Sequence, residues 1–261
     1  MTTQDMIIEL FCRIDDRLKG VPKHSQAKLY PSEVITLAIL FAQKGGHGRA
    51  FYRWLNQNYC ELFPNLPDRS RLFRLFASHQ HLTEWFMAEL TLFGVIDSYG
   101  IELIHPIREG RSEQQIGEKG ISNHRWIVGG KLCLLLNKLG QVVDWDFGTA
   151  NQYDGDFQHL VAKVVGEMIV FADTGFHAKV GDPPNLKICP RGTWNERMVV
   201  ETVLSMLTVV ASTKKMFHRT WTQFQARLAY TMAAFNIFTS WDGLTPDEDG
   251  FVSLSIAQFS L

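Results

Sequence analysis

The sequence predicts an α/β protein in which an all-helical N-terminal unit precedes a mixed sheet flanked by helices. Apolar residues recur at helical spacing through roughly the first ninety residues. Short apolar runs of strand length follow from residue 93, and two long helical patterns come after them. With 46% hydrophobic and 20% charged residues among 261, the chain has the composition of a globular protein.

Five helices are predicted before residue 93. Gly20 and Pro22 end the first of them, and Pro31 with the nearby Glu33 is typical of a helix N-terminus at the second. The turn at 63–67 separates the third helix from the fourth. The predicted helices are 3–19, 31–41, 49–60, 68–79 and 82–92. Together they form a predicted helical N-terminal domain over residues 1–92.

The remaining chain alternates strands and helices. The predicted strands are 93–98, 126–136, 141–147, 168–173 and 185–189, and the predicted helices are 154–166, 194–212 and 219–240. This order indicates an α/β layer with a mixed sheet over residues 93–241. Residues 242–261 carry four acids and no Lys or Arg, so an acidic C-terminal tail is predicted.

The distribution of charge and the spacing of the cysteines indicate what the protein binds and where it is found. The net charge is only −1, but residues 176–241 hold eight Lys and Arg against three acids, which favours a local phosphate-binding face. The four cysteines show neither CxxC nor zinc-site spacing, so we expect reduced, mostly buried thiols. No signal peptide and no membrane span are predicted, so we expect a cytoplasmic protein without a membrane partner.

Three acids form the candidate chemical site. Asp97 and Asp173 each end an apolar run, at the sheet edge where open α/β sheets bind ligands. Glu201 interrupts the apolar face of a later helix, and a helix returning from the sheet can bring it to the same edge. Clustered carboxylates suit Mg²⁺ or Mn²⁺, and two such ions roughly 4 Å apart support in-line phosphoryl displacement.

Each acid also has an ordinary structural interpretation. A lone strand-end Asp is more often a cap or turn residue, and Glu201 could be an ordinary surface residue of an amphipathic helix. Glu196 is a rival third acid, but five helical residues turn it about 140° away from Glu201. Asp154 is interpreted as a helix N-cap rather than as a ligand.

These residues resemble the motifs of DDE transposases of small bacterial insertion sequences, a family with an RNase H-like catalytic core. The first-Asp motif is similar to residues 95–98, Val-Ile-Asp-Ser, and the second-Asp motif to 171–176, Phe-Ala-Asp-Thr-Gly-Phe. Trp194, Arg197 and Glu201 resemble the family's third-acid helix. Similar stretches at 31–37, 63–67, 130–132 and 150–154 extend the resemblance over nearly the whole chain.

The resemblance implies an RNase H-like sheet and a DNA transposase that cleaves and transfers the strands of an insertion sequence. Asp97, Asp173 and Glu201 would be its catalytic and metal-binding residues, with two Mg²⁺ or Mn²⁺ ions. Its partner would be double-stranded DNA, as element ends and target, bound by a homodimer or higher oligomer in a bacterial, nucleoid-associated setting. The alternatives are an RNase H-like nuclease and a catalytically inactive DNA-binding relative.

Basic residues are assigned to DNA contact on the same grounds. Many relatives carry a Lys seven positions after the Glu, where this chain has Thr208, and two later lysines are candidates to replace it. The predicted DNA-binding residues are Arg197, Arg108, Arg111, Lys131, Lys214 and Lys215. In the helical unit, Arg49, Arg69, Arg71 and Arg74 are candidates for contacting DNA ends. The alternatives are an ion pair of Arg197 with Glu201 and solvated surfaces for the others.

Overall fold

The structure is a computed structural model that describes residues 1–122, 124–179, 181–190, 197–244 and 252–261. These residues form an α/β fold with a mixed sheet, as predicted. The helices are α1 Thr3–Arg17, α2 Pro31–Lys44, α3 Gly48–Asn58, α4 Arg69–His79, α5 Gln158–Ala162, α6 Arg197–Ala211 and α7 Trp221–Thr239. The strands are β1 Phe93–Ile104, β2 Glu118–Ser122, β3 Arg125–Asn137, β4 Val142–Thr149, β5 Ile169–Ala172 and β6 Leu186–Ile188.

The first four predicted helices are confirmed. At the start of α1, the Thr2 hydroxyl accepts the Asp5 amide while the Asp5 carboxylate accepts the Thr2 amide, which closes a capping box. Pro31 stands at the first position of α2, where its missing amide hydrogen costs nothing. Gly20, with φ +97°, lies just beyond the end of α1.

The fifth predicted helix, 82–92, is wrong. Residues 80–86 form a 3₁₀ helix, and the chain then runs without helix to β1. Tertiary hydrogen bonds hold this segment instead: the Ala88 amide donates to the Val142 carbonyl, and the Asn236 amide group donates to the Phe86 carbonyl. These contacts override the local helical preference.

The sheet has an antiparallel half and a parallel half. β3 pairs antiparallel with β1 along one edge and with β2 and then β4 along the other. β5 pairs parallel with β1, and β6 pairs parallel with β5. The order across the sheet is therefore β4, β3, β1, β5, β6, with β2 continuing the line of β4.

Strand β2 was not predicted. Its five residues include only one buried position, Gly120, so the apolar alternation that marks a strand is missing. A Cβ on Gly120 would lie 2.1 Å from the Ala150 carbonyl oxygen, so glycine lets the two backbones approach here. The first predicted helix of the α/β part, 154–166, is also shorter than expected. It begins as a 3₁₀ turn and is α-helical only in α5.

Two cores cover the two faces of the sheet. Side chains alternate along β1 and β3, so Val95 and Leu134 join the larger core while Ile96 and Cys133 join the smaller one. The larger core also contains the buried sides of α1–α4, α6 and α7. The N-terminal helices therefore pack on the sheet-bearing part through a shared core.

A buried arginine connects three helices. The Arg227 guanidinium on α7 donates to the carbonyls of Phe41 and Ala42 near the end of α2, and to the carbonyl of Ala211, the last residue of α6. Carbonyls at a helix C-terminus lack intrahelical donors and carry partial negative charge, so a cation there is favourable. Arg227 thus fixes α2 and α6 relative to α7.

The described end of the chain is packed against the helices. Phe259 is buried and stacks on Phe238 at 4.5 Å between ring centroids, and its carbonyl accepts a hydrogen bond from Gln43. Residues 252–261, part of the predicted acidic tail, therefore contribute to the larger core. Within the described ranges, no helix has both the length and the apolar composition to cross a bilayer.

The expectation of mostly buried thiols is wrong, since Cys12 and Cys60 are exposed and only Cys133 is fully buried. The reason is that Cys12 lies on α1 and Cys60 after α3, both on faces turned away from the core. None of the four cysteines forms a disulfide.

His218 makes the fold pH-dependent. Burial, and after it the Arg227 charge, lowers the pKa of His218 from 6.5 to about 4. The unfolded chain therefore binds a proton that the folded chain does not, and stability should fall as pH drops from about 6.5 towards 4. His218→Gln should lose less stability over this range, in urea denaturation between about pH 7 and 4.5. The exposed His81→Gln is the control, and an unchanged pH profile for His218→Gln would contradict the assignment.

Candidate active site

Asp97 and Asp173 each follow the paired part of two parallel strands. β1 and β5 pair Phe93 with Ile169 and Val95 with Phe171. Continued by two residues, the same register would align Asp97 with Asp173, one residue beyond the end of β5. The backbone of Asp173 is still extended, with φ −78° and ψ 175°. Both predicted acids therefore lie just beyond the last residue pair of the parallel strands, Val95 and Phe171.

β1 extends beyond the end of its pairing with β5. β5 accompanies β1 only as far as Val95. Further along β1, the Glu102 amide donates to the Lys214 carbonyl and the Glu102 carbonyl accepts the Met216 amide. Within the described chain, the stretch of β1 from Asp97 to Ile101 has no further strand on this side. A cleft between diverging strands is the usual place for a ligand in such sheets.

Asp173 is held by a local turn. Its carboxylate accepts the Gly175 amide at 2.8 Å and caps the 3₁₀ turn Thr174–Phe176. A Cβ on Gly175 would lie 2.9 Å from Asp173 Oδ1 and 3.1 Å from Asp154 Oδ2. The two carboxylates therefore flank one methyl-sized space, and their oxygens are no further apart than the sum of those distances.

Asp154 lies near Asp173 and is not the helix N-cap that the sequence suggested. The N-cap position of the 3₁₀ turn belongs to Tyr153, which makes no side-chain capping bond. Asp154 Oδ1 instead accepts the Ser98 hydroxyl at 2.6 Å and the Lys131 ammonium at 2.9 Å. The cause is tertiary. Ser98 on β1 and Lys131 on β3 lie at the start of the turn, and Asp154 accepts their hydrogen bonds instead of one from a backbone amide of the turn.

Lys131 occupies an interior position. Its side chain is 15% exposed and that of Asp154 27%, and its ammonium also donates to the Gln152 carbonyl. The predicted DNA-binding role of Lys131 stays a prediction, but its nearest partners here belong to the protein. Ser98 and Asp154 are the site residues that sequence reasoning missed, although both lie inside the motif stretches 95–98 and 150–154.

The buried thiol of Cys133 lies against the same acids. Burial, and after it the negative charges of Asp97, Asp154 and Asp146, raises the pKa of Cys133 well above its usual value, while Lys131 opposes them. The thiol therefore stays neutral under the carboxylates. It adds no charge to a site already rich in negative charge.

The third predicted acid lies on a different element. Glu201 is exposed on α6, one residue beyond the buried Val200. Among the residues that the structure describes, no three His, Cys, Asp or Glu side chains stand together as a metal-binding group. The participation of Glu201 stays a prediction. Trp194, Glu196 and the Arg197 side chain lie outside the described residues.

The other predicted DNA contacts are on the surface. Arg108 and Arg111 are exposed near the 3₁₀ turn that follows β1. Lys214 and Lys215 are exposed beside β1, and the Lys215 ammonium pairs with Glu102 at 2.8 Å. Trp126, near the start of β3, is 57% exposed. All of these side chains can be reached from solvent.

Comparison of the chain with protein-family models found no match. Comparison with curated proteins found no relative either.

The Lys131–Asp154 pair can be tested by its contribution to stability. Lys131→Met should destabilise the protein by about 1–3 kcal/mol, because it leaves a half-buried carboxylate with one hydroxyl partner. Asp154→Asn combined with Lys131→Met should recover at least about 0.5 kcal/mol of that loss. Lys138→Met, on an exposed lysine near the end of β3, should change stability by less than about 0.5 kcal/mol. Additive effects in urea denaturation would show that the pair is not coupled.

Proposed function

We propose that this protein is a DDE-type DNA transposase with an RNase H-like core, which cleaves and transfers DNA strands with the help of two divalent ions. The observation that carries the proposal is that Asp97 and Asp173 both lie just beyond the last residue pair of two adjacent parallel strands. The motif order in the sequence is independent support.

The arrangement of strands is consistent with this core. Three antiparallel strands come first along one line of the sheet, and two strands parallel to the first follow on its other side. The helix α6, which carries the candidate third acid, packs on β1 through Val200 and Val203 in the larger core. The acids of the proposed site thus lie on elements that contact one another.

The donor set suits hard divalent cations. Asp97 and Asp173 offer carboxylate oxygens, and Asp154 stands close enough to Asp173 to add negative charge to the same site. Two bound Mg²⁺ or Mn²⁺ ions would supply activation of a water or 3′-hydroxyl and stabilisation of the leaving oxygen. Glu201 would complete the set from α6.

The chain's own residues prepare the site. The Gly175 amide donates to one oxygen of Asp173 and so fixes the orientation of that carboxylate. Lys131 and Ser98 hold Asp154 Oδ1, which leaves Oδ2 on the side of Asp173. Carboxylates held before the ligand arrives lose less entropy on binding it.

DNA would approach from the open edge of β1. Lys214 and Lys215 stand at that edge beside Glu102, and Arg108 and Arg111 follow the end of the same strand. Exposed cations further along the strand that carries Asp97 would hold the phosphates of the bound duplex. The proposed partners are element ends and target DNA, bound by a homodimer or larger assembly in the bacterial cytoplasm.

The proposal is tested by carboxylate-to-amide variants. Asp97→Asn and Asp173→Asn keep the side-chain shape but remove the charge that binds the ion, so each should lower Mg²⁺-dependent cleavage of an end-containing DNA duplex by at least about a hundredfold. Glu201→Gln should do the same, while DNA binding, measured by gel shift in Ca²⁺, is kept.

Glu196→Gln is the matched control, since the same amide change on the same predicted helix should be nearly silent. Loss in Glu196→Gln with full cleavage in Glu201→Gln would exchange the two acids. Full cleavage by both Asp variants would remove the two-metal mechanism. A wild-type protein that binds DNA without cutting it would favour the inactive DNA-binding relative, and cutting without strand transfer would favour the nuclease.

A further inference from the structure

A groove lined by arginines crosses the helical side of the molecule. A cavity of about 390 Å³ is lined by Arg49, Arg53 and Arg69, together with neutral polar side chains of α3. A second cavity of about 370 Å³ shares Arg49 and Arg69 and adds Arg219, just before α7. We call these joined cavities the arginine groove. It lies outside the proposed active site and unites three separate stretches of the chain.

The charge of the arginine groove is not neutralised by the protein. No acidic side chain lines either cavity. Within the described ranges, none of its four arginines makes an ion pair, whereas Arg13, Lys131 and Lys163 each pair with a carboxylate. Four guanidinium groups around one depression repel one another, so an anionic partner would stabilise the arrangement.

The walls of the arginine groove are fixed before any ligand binds. A Cβ on Gly48 would lie 2.4 Å from the Phe73 ring, so α3 starts directly on that ring. The Tyr52 hydroxyl donates to the Pro67 carbonyl at 2.9 Å, and the Gln223 amide group donates to the Phe73 carbonyl at 3.3 Å. These bonds connect α3, α4 and α7. A preorganised cationic groove binds an extended anion at lower entropic cost.

The groove also leads towards the acid pair. Phe217, at the Arg219 end, lies two residues after Lys215, whose ammonium pairs with Glu102 on β1. Asp97 is five residues back along that strand, roughly 16 Å away. The short segment 215–219 therefore connects the Arg219 end of the groove with β1. Two cavities that share Arg49 and Arg69 offer room for more than one phosphate.

We propose that the arginine groove binds the phosphate backbone of double-stranded DNA, away from the site of cleavage, and so positions the duplex for the acids. This inference rests on the proposed function for the identity of the polyanion. Guanidinium groups match phosphate oxygens with paired N–H donors, and backbone contacts fix the register of a duplex without reading its sequence.

The test is DNA binding by the full chain without catalysis. Affinity for a duplex of about 30 base pairs would be measured by fluorescence anisotropy in EDTA over a range of salt concentrations. The variant Arg49→Gln/Arg53→Gln/Arg69→Gln/Arg219→Gln should bind at least about tenfold more weakly at 0.1 M salt, and its salt slope should fall by about 0.9 for each phosphate that it no longer neutralises. Arg53→Gln and Arg219→Gln alone should show the same effect in smaller measure.

Lys19→Gln/Lys28→Gln is the control, since both lysines are exposed in the helical part of the chain but line neither cavity. It should keep the wild-type slope. Equal weakening of binding in the control and the groove variants would overturn the proposal, as would a weakening confined to duplex RNA or an unchanged slope. If the wild type cleaves DNA but the groove variants bind it with unchanged affinity, the groove is not a DNA-binding site and the proposed transposase function stands. If the wild type never cleaves DNA but the groove variants bind it more weakly, the transposase function is refuted and the groove remains a DNA-binding site.

Discussion

The proposed site depends on the parallel pairing of β1 and β5. Three residue pairs define this register, and its continuation by two residues would align Asp97 with Asp173. A slip by one residue would turn one of the acids to the opposite face of the sheet, since side chains alternate along a strand. Gly94 helps to fix the register, because a Cβ there would lie 2.4 Å from Met168 Sδ and 2.7 Å from the Leu136 carbonyl oxygen.

A second constraint fixes the helices over the larger core. Arg227 bonds the ends of α2 and α6 from α7, so three helices share one cationic cap. Burial lowers the pKa of Arg227 to about 9, and its carbonyl partners favour the charged form. Glu201 lies on α6. Its position therefore depends on the Arg227 hydrogen bond to the end of α6 and on the packing of α6 against the sheet. The helical part thus supports the proposed site from a distance.

Much of this architecture could be predicted, because the decisive patterns are local. The amphipathic spacing of α1, the Pro31 start of α2 and the apolar run before Asp97 each carry their own signal. β2 could not be predicted, since its stability comes from pairing with β3 and not from its side chains. Asp154 was misassigned for a similar reason: its partners Ser98 and Lys131 are distant in sequence. The prediction of a helix at 82–92 was wrong because hydrogen bonds with the distant residues Asn236 and Val142 hold this segment in another conformation.

In the proposed function, Asp97 and Asp173, which follow the paired parts of β1 and β5, would hold the two metal ions. The most direct measurement is a crystal structure of the protein soaked in Mn²⁺, with an anomalous difference map. The account predicts two manganese peaks roughly 4 Å apart, each within bonding distance of a carboxylate oxygen of Asp97 or Asp173. A map without manganese at these two acids, or with manganese only elsewhere on the protein, would contradict it.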